Sequence, residues 1–82
     1  MLQKAKEHRD FWVKSGNKAI LRKILQLTKV IIDSPFEGIG KPEPLKHELT
    51  GYWSRRITQE HRFIYTFTDN TLIVVSLKGH YS

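Results

Sequence analysis

Cysteine is absent from the 82 residues. That excludes disulfides, thiolate catalysis and cysteine-ligated zinc, and it fits a reducing compartment. No apolar run approaches the roughly 20 residues that a membrane helix needs. A signal peptide fits no better. Lys4, Lys6 and Arg9 would supply its basic end, but Glu7, His8 and Asp10 interrupt the apolar core that must come next. The chain is therefore read as cytoplasmic, with no membrane partner. Acidic residues are scarce, 8 against 14 Lys and Arg, for a formal net charge of +6. That surplus favours a polyanionic partner such as nucleic acid, an anionic surface or an acidic protein. A surface simply coated with lysine accounts for it equally well. There is no glycine-rich phosphate loop, no internal repeat and no low-complexity tract.

What is present suits one small globular unit. Hydrophobic residues make up 39% and charged residues 27% of the chain, which is a folding rather than a disordered composition. A chain of this size buries only about 60–65% of its unfolded surface, so its core is modest. One domain spanning residues 1–82 is expected.

Periodicity divides the chain into a helical part and a strand-forming part. Ala5, His8 and Trp12 recur at helical spacing until Ser15-Gly16 breaks the pattern. Asn17 is a candidate cap for a second helix, in which Ile20, Ile24, Leu27 and Ile31 form an apolar stripe widened by Leu21, Leu25 and Val30. Asp33-Ser34-Pro35 ends it, because the residue before a proline resists helical geometry. The segment from Pro35 to Pro44 holds three prolines and two glycines and is read as an ordered loop without regular structure. Tyr52 to Thr58 and Arg62 to Thr68 are rich in aromatic and β-branched residues and read as strands. Asp69-Asn70 marks a turn, and Leu72 to Leu77 reads as a third, mostly apolar strand. The expected fold class is α+β, an N-terminal helical hairpin packed on an antiparallel sheet.

The second half is dense in groups that suit RNA. Lys41, Lys46, Arg55, Arg56, Arg62 and Lys78 are cationic, Tyr52, Trp53, Tyr65 and Tyr81 are aromatic, and His47, His61 and His80 can move protons. Trp53, Phe63 and Phe67 are better assigned to the core. Breaking an RNA phosphodiester needs a base for the 2′-hydroxyl, an acid for the leaving 5′-oxygen and cations for the charge that builds on phosphorus. Glu43, stiffened by Pro42 and Pro44, is the candidate base, and His80 the candidate acid. Arg56 and Arg62 are candidate phosphate clamps, with Lys46 as a further point charge. Each has a plain alternative. Glu43 can be a solvated loop acid, His80 a surface residue on the tail, and Arg55-Arg56 an ordinary charged strand edge. A metal site is not expected, since His47 and His61 lack companion ligands at a suitable spacing.

A longer pattern separates these readings. The runs Ser34-Pro35-Phe36-Glu37-Gly38, Gly40-Lys41-Pro42-Glu43-Pro44-Leu45-Lys46, Leu49-Thr50-Gly51-Tyr52-Trp53-Ser54-Arg55-Arg56-Ile57, Glu60-His61-Arg62 and Gly79-His80-Tyr81 strongly resemble the Txe/YoeB toxins of the RelE superfamily. The resemblance covers essentially the whole chain. It implies a RelE-like fold and metal-independent, cofactor-free cleavage of mRNA in the ribosomal A site. It further implies inhibition by a YefM-type antitoxin, operator DNA binding only together with that antitoxin, and a homodimer as one assembly state. Matched motif by motif, it makes Glu43 the base, His80 the acid and Arg62 the group that stabilises the transition state. Lys46 and Arg56 would hold phosphate, and Tyr81 would position substrate. Family members begin with a short β-strand; only Met1 and Leu2 precede the first helix here, so that strand is expected to be missing. Two other classes of function remain open: a non-catalytic toxin on the same fold, such as a gyrase inhibitor, and a nucleic-acid-binding module.

Overall fold

A computed structural model describes residues 1–79. Helix α1 (Gln3–Ser15) stops at Gly16, which takes the left-handed conformation (φ 72°) and returns its N–H to Val13 O. Helix α2 (Lys18–Asp33) begins as the sequence indicates: the Asn17 side chain accepts from Ile20 N–H at 3.1 Å. Strands β1 (Glu43–Pro44), β2 (Trp53–Arg56), β3 (Arg62–Thr68) and β4 (Thr71–Ser76) form one antiparallel sheet in the order β1-β2-β3-β4. A short 3-10 turn (His47–Leu49) joins β1 to β2. The expected α+β class and helical hairpin are both present, and no described helix is long and apolar enough to cross a membrane.

The core lies between the helices and one face of the sheet. Ala5, Trp12, Ile20, Leu27 and Ile31 from the helices meet Ile57, Phe63, Tyr65, Val74 and Leu77, with Leu21, Ile24, Trp53 and Leu72 packed at the margin. Leu25 departs from expectation and is 56% exposed. At 100° per residue it falls well away from the Ile20–Leu27–Ile31 stripe, so apolar character alone misplaced it. The Pro35–Pro44 segment also departs: its last two residues pair with β2, Glu43 opposite Ser54 and Pro44 opposite Trp53. Proline is tolerated there because β1 is an edge strand.

The β3–β4 ladder contains a register shift. Ile64 pairs with Ser76 and Tyr65 with Val74, leaving Val75 as the extra residue of a β-bulge. Ser76 faces α1, with its hydroxyl 3.3 Å from His8 Nδ1, while Ile64, opposite Ser54, lies outside the core cluster under the helices. The edge of β4 is touched by the start of the chain, where Leu2 N–H donates to Val74 O at 2.9 Å.

Candidate active site

The pleat of the sheet sorts neighbouring residues onto opposite faces. In β2, Trp53 and Arg55 turn toward the helices, so Ser54 and Arg56 turn away. The β2–β3 ladder sets Arg56 directly opposite Arg62 and Ser54 opposite Ile64. The β1–β2 ladder sets Glu43 opposite Ser54. Glu43, Arg56 and Arg62 thus share the face away from the helices, over a floor of Ser54 and Ile64, both buried. A connection of different length between β2 and β3 would have separated the two arginines, because a one-residue slip reverses every side chain.

Like charges directly opposite one another destabilise a strand pair unless something offsets them. Three carbonyls do so for Arg62: its Nη1 donates to Thr58 O at 2.8 Å, Gln59 O at 2.7 Å and, more weakly, His61 O at 3.3 Å. Arg56 is exposed and makes no side-chain hydrogen bond or ion pair among the described residues. Glu43 is exposed as well, and no described cation is paired with it. The result is two guanidiniums and one carboxylate on the same face with no ion pair between them or to another described acid, an arrangement suited to an anionic ligand. Lys46 is exposed just before the 3-10 turn, beyond the end of the β1 ladder. His80 and Tyr81 lie outside the described residues. The described chain reaches Gly79, whose carbonyl accepts from Arg62 N–H at 2.8 Å. Among the described residues no three His, Cys, Asp or Glu side chains cluster in a way that could hold a metal ion.

The loop that delivers Glu43 is fixed from below by Arg55, which is fully buried. Its guanidinium donates to Ser34 O (2.6 Å), Glu37 O (2.7 Å), Ile39 O (3.2 Å) and the Tyr65 hydroxyl (3.2 Å). Tyr65, also buried, donates in turn to Pro35 O at 2.6 Å. Burial pushes its pKa up, and Arg55 only partly opposes this, so the phenol keeps its proton. Arg56 N–H closes the loop on Gly40 O at 2.7 Å. Gly40 has φ 84°, and a Cβ there would stand 3.1 Å from a Leu27 methyl and 3.2 Å from Arg55 Cβ. Arg55 and Tyr65 therefore cannot serve as RNA contacts, although their residue types suggested it. A signal for this existed in the sequence: Arg55 alternates in phase with Trp53 and Ile57, both of the apolar face.

A family model described as the YoeB-like toxin of bacterial type II toxin–antitoxin systems matches residues 2–81. The chain belongs to this family. Toxin YoeB of a Synechocystis strain is 50% identical over 74 residues, which span 90% of this chain and 86% of that protein. A YoeB–YefM complex from Staphylococcus aureus superposes with a TM-score of 0.89 at 46% identity, covering 98% of this chain and 92% of that one. A structure of the YoeB dimer from the same organism gives a TM-score of 0.88 at 44% identity, with the same coverage. The helical hairpin on a four-stranded antiparallel sheet is the fold of these YoeB structures. For a YoeB-family chain, the open sheet face bearing Arg56 and Arg62 is the part of the fold left uncovered by its own helices.

Proposed function

We propose that this YoeB-family toxin is a ribosome-dependent endoribonuclease that cuts mRNA in the A site without a metal ion. The observation that supports the reading is the paired Arg56 and Arg62 on the open face, with Glu43 on the same side and no acid bound to either guanidinium among the described residues. In the proposed reaction the Glu43 carboxylate takes the proton of the 2′-hydroxyl, and the freed oxygen attacks phosphorus. The phosphorus–5′-oxygen bond breaks, and His80 protonates the leaving oxygen. The products are a 2′,3′-cyclic phosphate and a 5′-hydroxyl. Arg62, already oriented by three carbonyls, and Arg56 stabilise the extra negative charge on the pentacoordinate phosphorus. Lys46 adds a point charge to the backbone, and Tyr81 stacks on a base.

The whole chain acts as one toxin domain in the cytoplasm. Following its Staphylococcus aureus relative, which is described both in complex with YefM and as a dimer, we assign it a YefM-type antitoxin and self-association as a homodimer. Operator DNA is bound only together with the antitoxin.

Primer extension on programmed ribosomes, with and without EDTA, tests the reaction. Cleavage should survive EDTA and fall about 10²–10⁴-fold in Glu43→Ala or His80→Ala. Toxicity left intact by the double substitution removes the catalytic assignment. Damaged DNA with intact mRNA after induction would favour the gyrase-inhibitor alternative.

A further inference from the structure

Beyond β4 the chain runs between two imidazoles. His8 Nδ1, on α1, accepts from Leu77 N–H at 3.0 Å, and His61 Nδ1 accepts from Gly79 N–H at 2.9 Å. The three carbonyls of the same segment are held as well. Trp12 Nε1 donates to Leu77 O at 2.9 Å, the Ser76 hydroxyl lies 3.2 Å from Lys78 O, and Arg62 N–H donates to Gly79 O. Each histidine is itself located. The His61 ring stands edge-on to Trp12 at 4.8 Å. His8 reaches the Ser76 hydroxyl at 3.3 Å.

A histidine that accepts through Nδ1 carries its proton on Nε2 and is neutral; a second proton would turn the acceptor into a donor facing a donor. We propose that His8 and His61 are positioning residues for the cleavage reaction. As neutral acceptors they fix the backbone of Leu77–Gly79, His8 from α1 at Leu77 and His61 from the residue before β3 at Gly79, one covalent step from His80. Charged groups surround both rings. His8 faces Lys4, Glu7, Lys78 and His61. His61 has Glu60 Oε1 3.7 Å from its Nε2, with the Trp12 ring on its side. Burial and then Lys4, Lys78 and His61 oppose charging of His8, with Glu7 favouring it.

The catalytic half of this inference rests on the proposed nuclease activity; the structural half does not, and the two are measured separately. In ¹⁵N-labelled full-length protein, long-range ring correlations should show both histidines protonated on Nε2 at neutral pH. The Leu77 and Gly79 amides should be protected from exchange, and the Leu77 amide should lose that protection only as pH falls below the ordinary imidazole value of about 6.5, because burial lowers the His8 pKa. His61→Ala should lose about tenfold or more of the Gly79 protection while β2 and β3 amides keep theirs. His61→Asn, whose Oδ1 can accept in place of Nδ1, should restore protection. In cleavage assays His61→Ala should lower kcat with little change in KM, and His61→Asn should recover it. Rings protonated on Nδ1, or Gly79 protection unchanged in His61→Ala, would overturn the proposal whatever the nuclease activity. Protection behaving as stated while wild-type protein cuts no RNA would remove the catalytic half through failure of the nuclease reading, with the backbone clamp still standing.

Discussion

Arg55 and Arg56 are consecutive, chemically identical and opposite in fate. The first lies under the helices with no exposed surface, its guanidinium spent on three backbone carbonyls and a phenol. The second stands on the open face with no hydrogen-bond or ion-pair partner among the described residues, beside another arginine. Nothing in residue type separates them; the pleat does. The covered face uses a charge to organise backbone, which is tolerated because each of its guanidinium nitrogens donates to an acceptor. The open face leaves its charge unsatisfied, and an unsatisfied cation is what a phosphate requires.

Substitutions should split this pair cleanly. Arg55→Ala strips four acceptors of their donor inside the fold and should cost about 3–5 kcal/mol in urea unfolding, with loss of the Ser34–Gly40 loop structure. Arg55→Lys keeps the charge but not the planar fork, and should recover only part of that stability. Arg56→Ala should do the reverse: unfolding free energy within about 0.5 kcal/mol of the parent, but cleavage down by about 10²–10³ in kcat. Equal destabilisation by the two would erase the distinction between the faces.

Gly40→Ala probes how the covered face supports the open one. A methyl group there meets Leu27 and Arg55 at a positive φ. It should cost about 1–3 kcal/mol by thermal unfolding and reduce cleavage through the displaced Glu43 loop. Ionic strength gives a gentler contrast. RNA affinity, read by filter binding, should fall steeply with salt because the open face is solvated, whereas the melting temperature should barely move. The smallest effect concerns His8. Its pKa is lowered in the fold, first by burial and then by Lys4 and Lys78, so the unfolded chain binds the extra proton more readily. The stability it contributes is complete above the ordinary imidazole value of about 6.5 and is lost as pH falls from there through the lower native value. A slope in melting temperature over that window, flattened in His8→Asn, is the expected result.

Much of the scaffold was legible in one dimension. The apolar period of α2, the Asn17 cap and the Asp33-Ser34-Pro35 stop are local signals, and they gave helix boundaries that the structure keeps. The strands were legible from β-branched and aromatic runs, apart from β1. A two-residue strand among three prolines has no local signature; it exists because β2 offers a partner. Leu25 was misassigned because hydrophobicity does not report angular position finely enough at the margin of a stripe. The site divided in the same way. Glu43, Arg56 and Arg62 could be picked out, but in a chain this basic many other triples could be drawn from the same residue types. The resemblance to YoeB toxins narrowed the choice, while the roles of Arg55, His8 and His61 went unseen, since each acts on backbone atoms distant in sequence.

The sequence by itself determined the two helices, the three longer strands, the surplus of positive charge and the family, because these depend on local periodicity, residue counts and motifs that need no third dimension. Only the tertiary structure decided which arginine is buried and which is offered to a ligand. It also decided that Glu43 joins the sheet and that His8 and His61 hold the chain at Leu77 and Gly79. Each of those depends on strand register, which is set by packing between segments and reverses with a shift of a single residue.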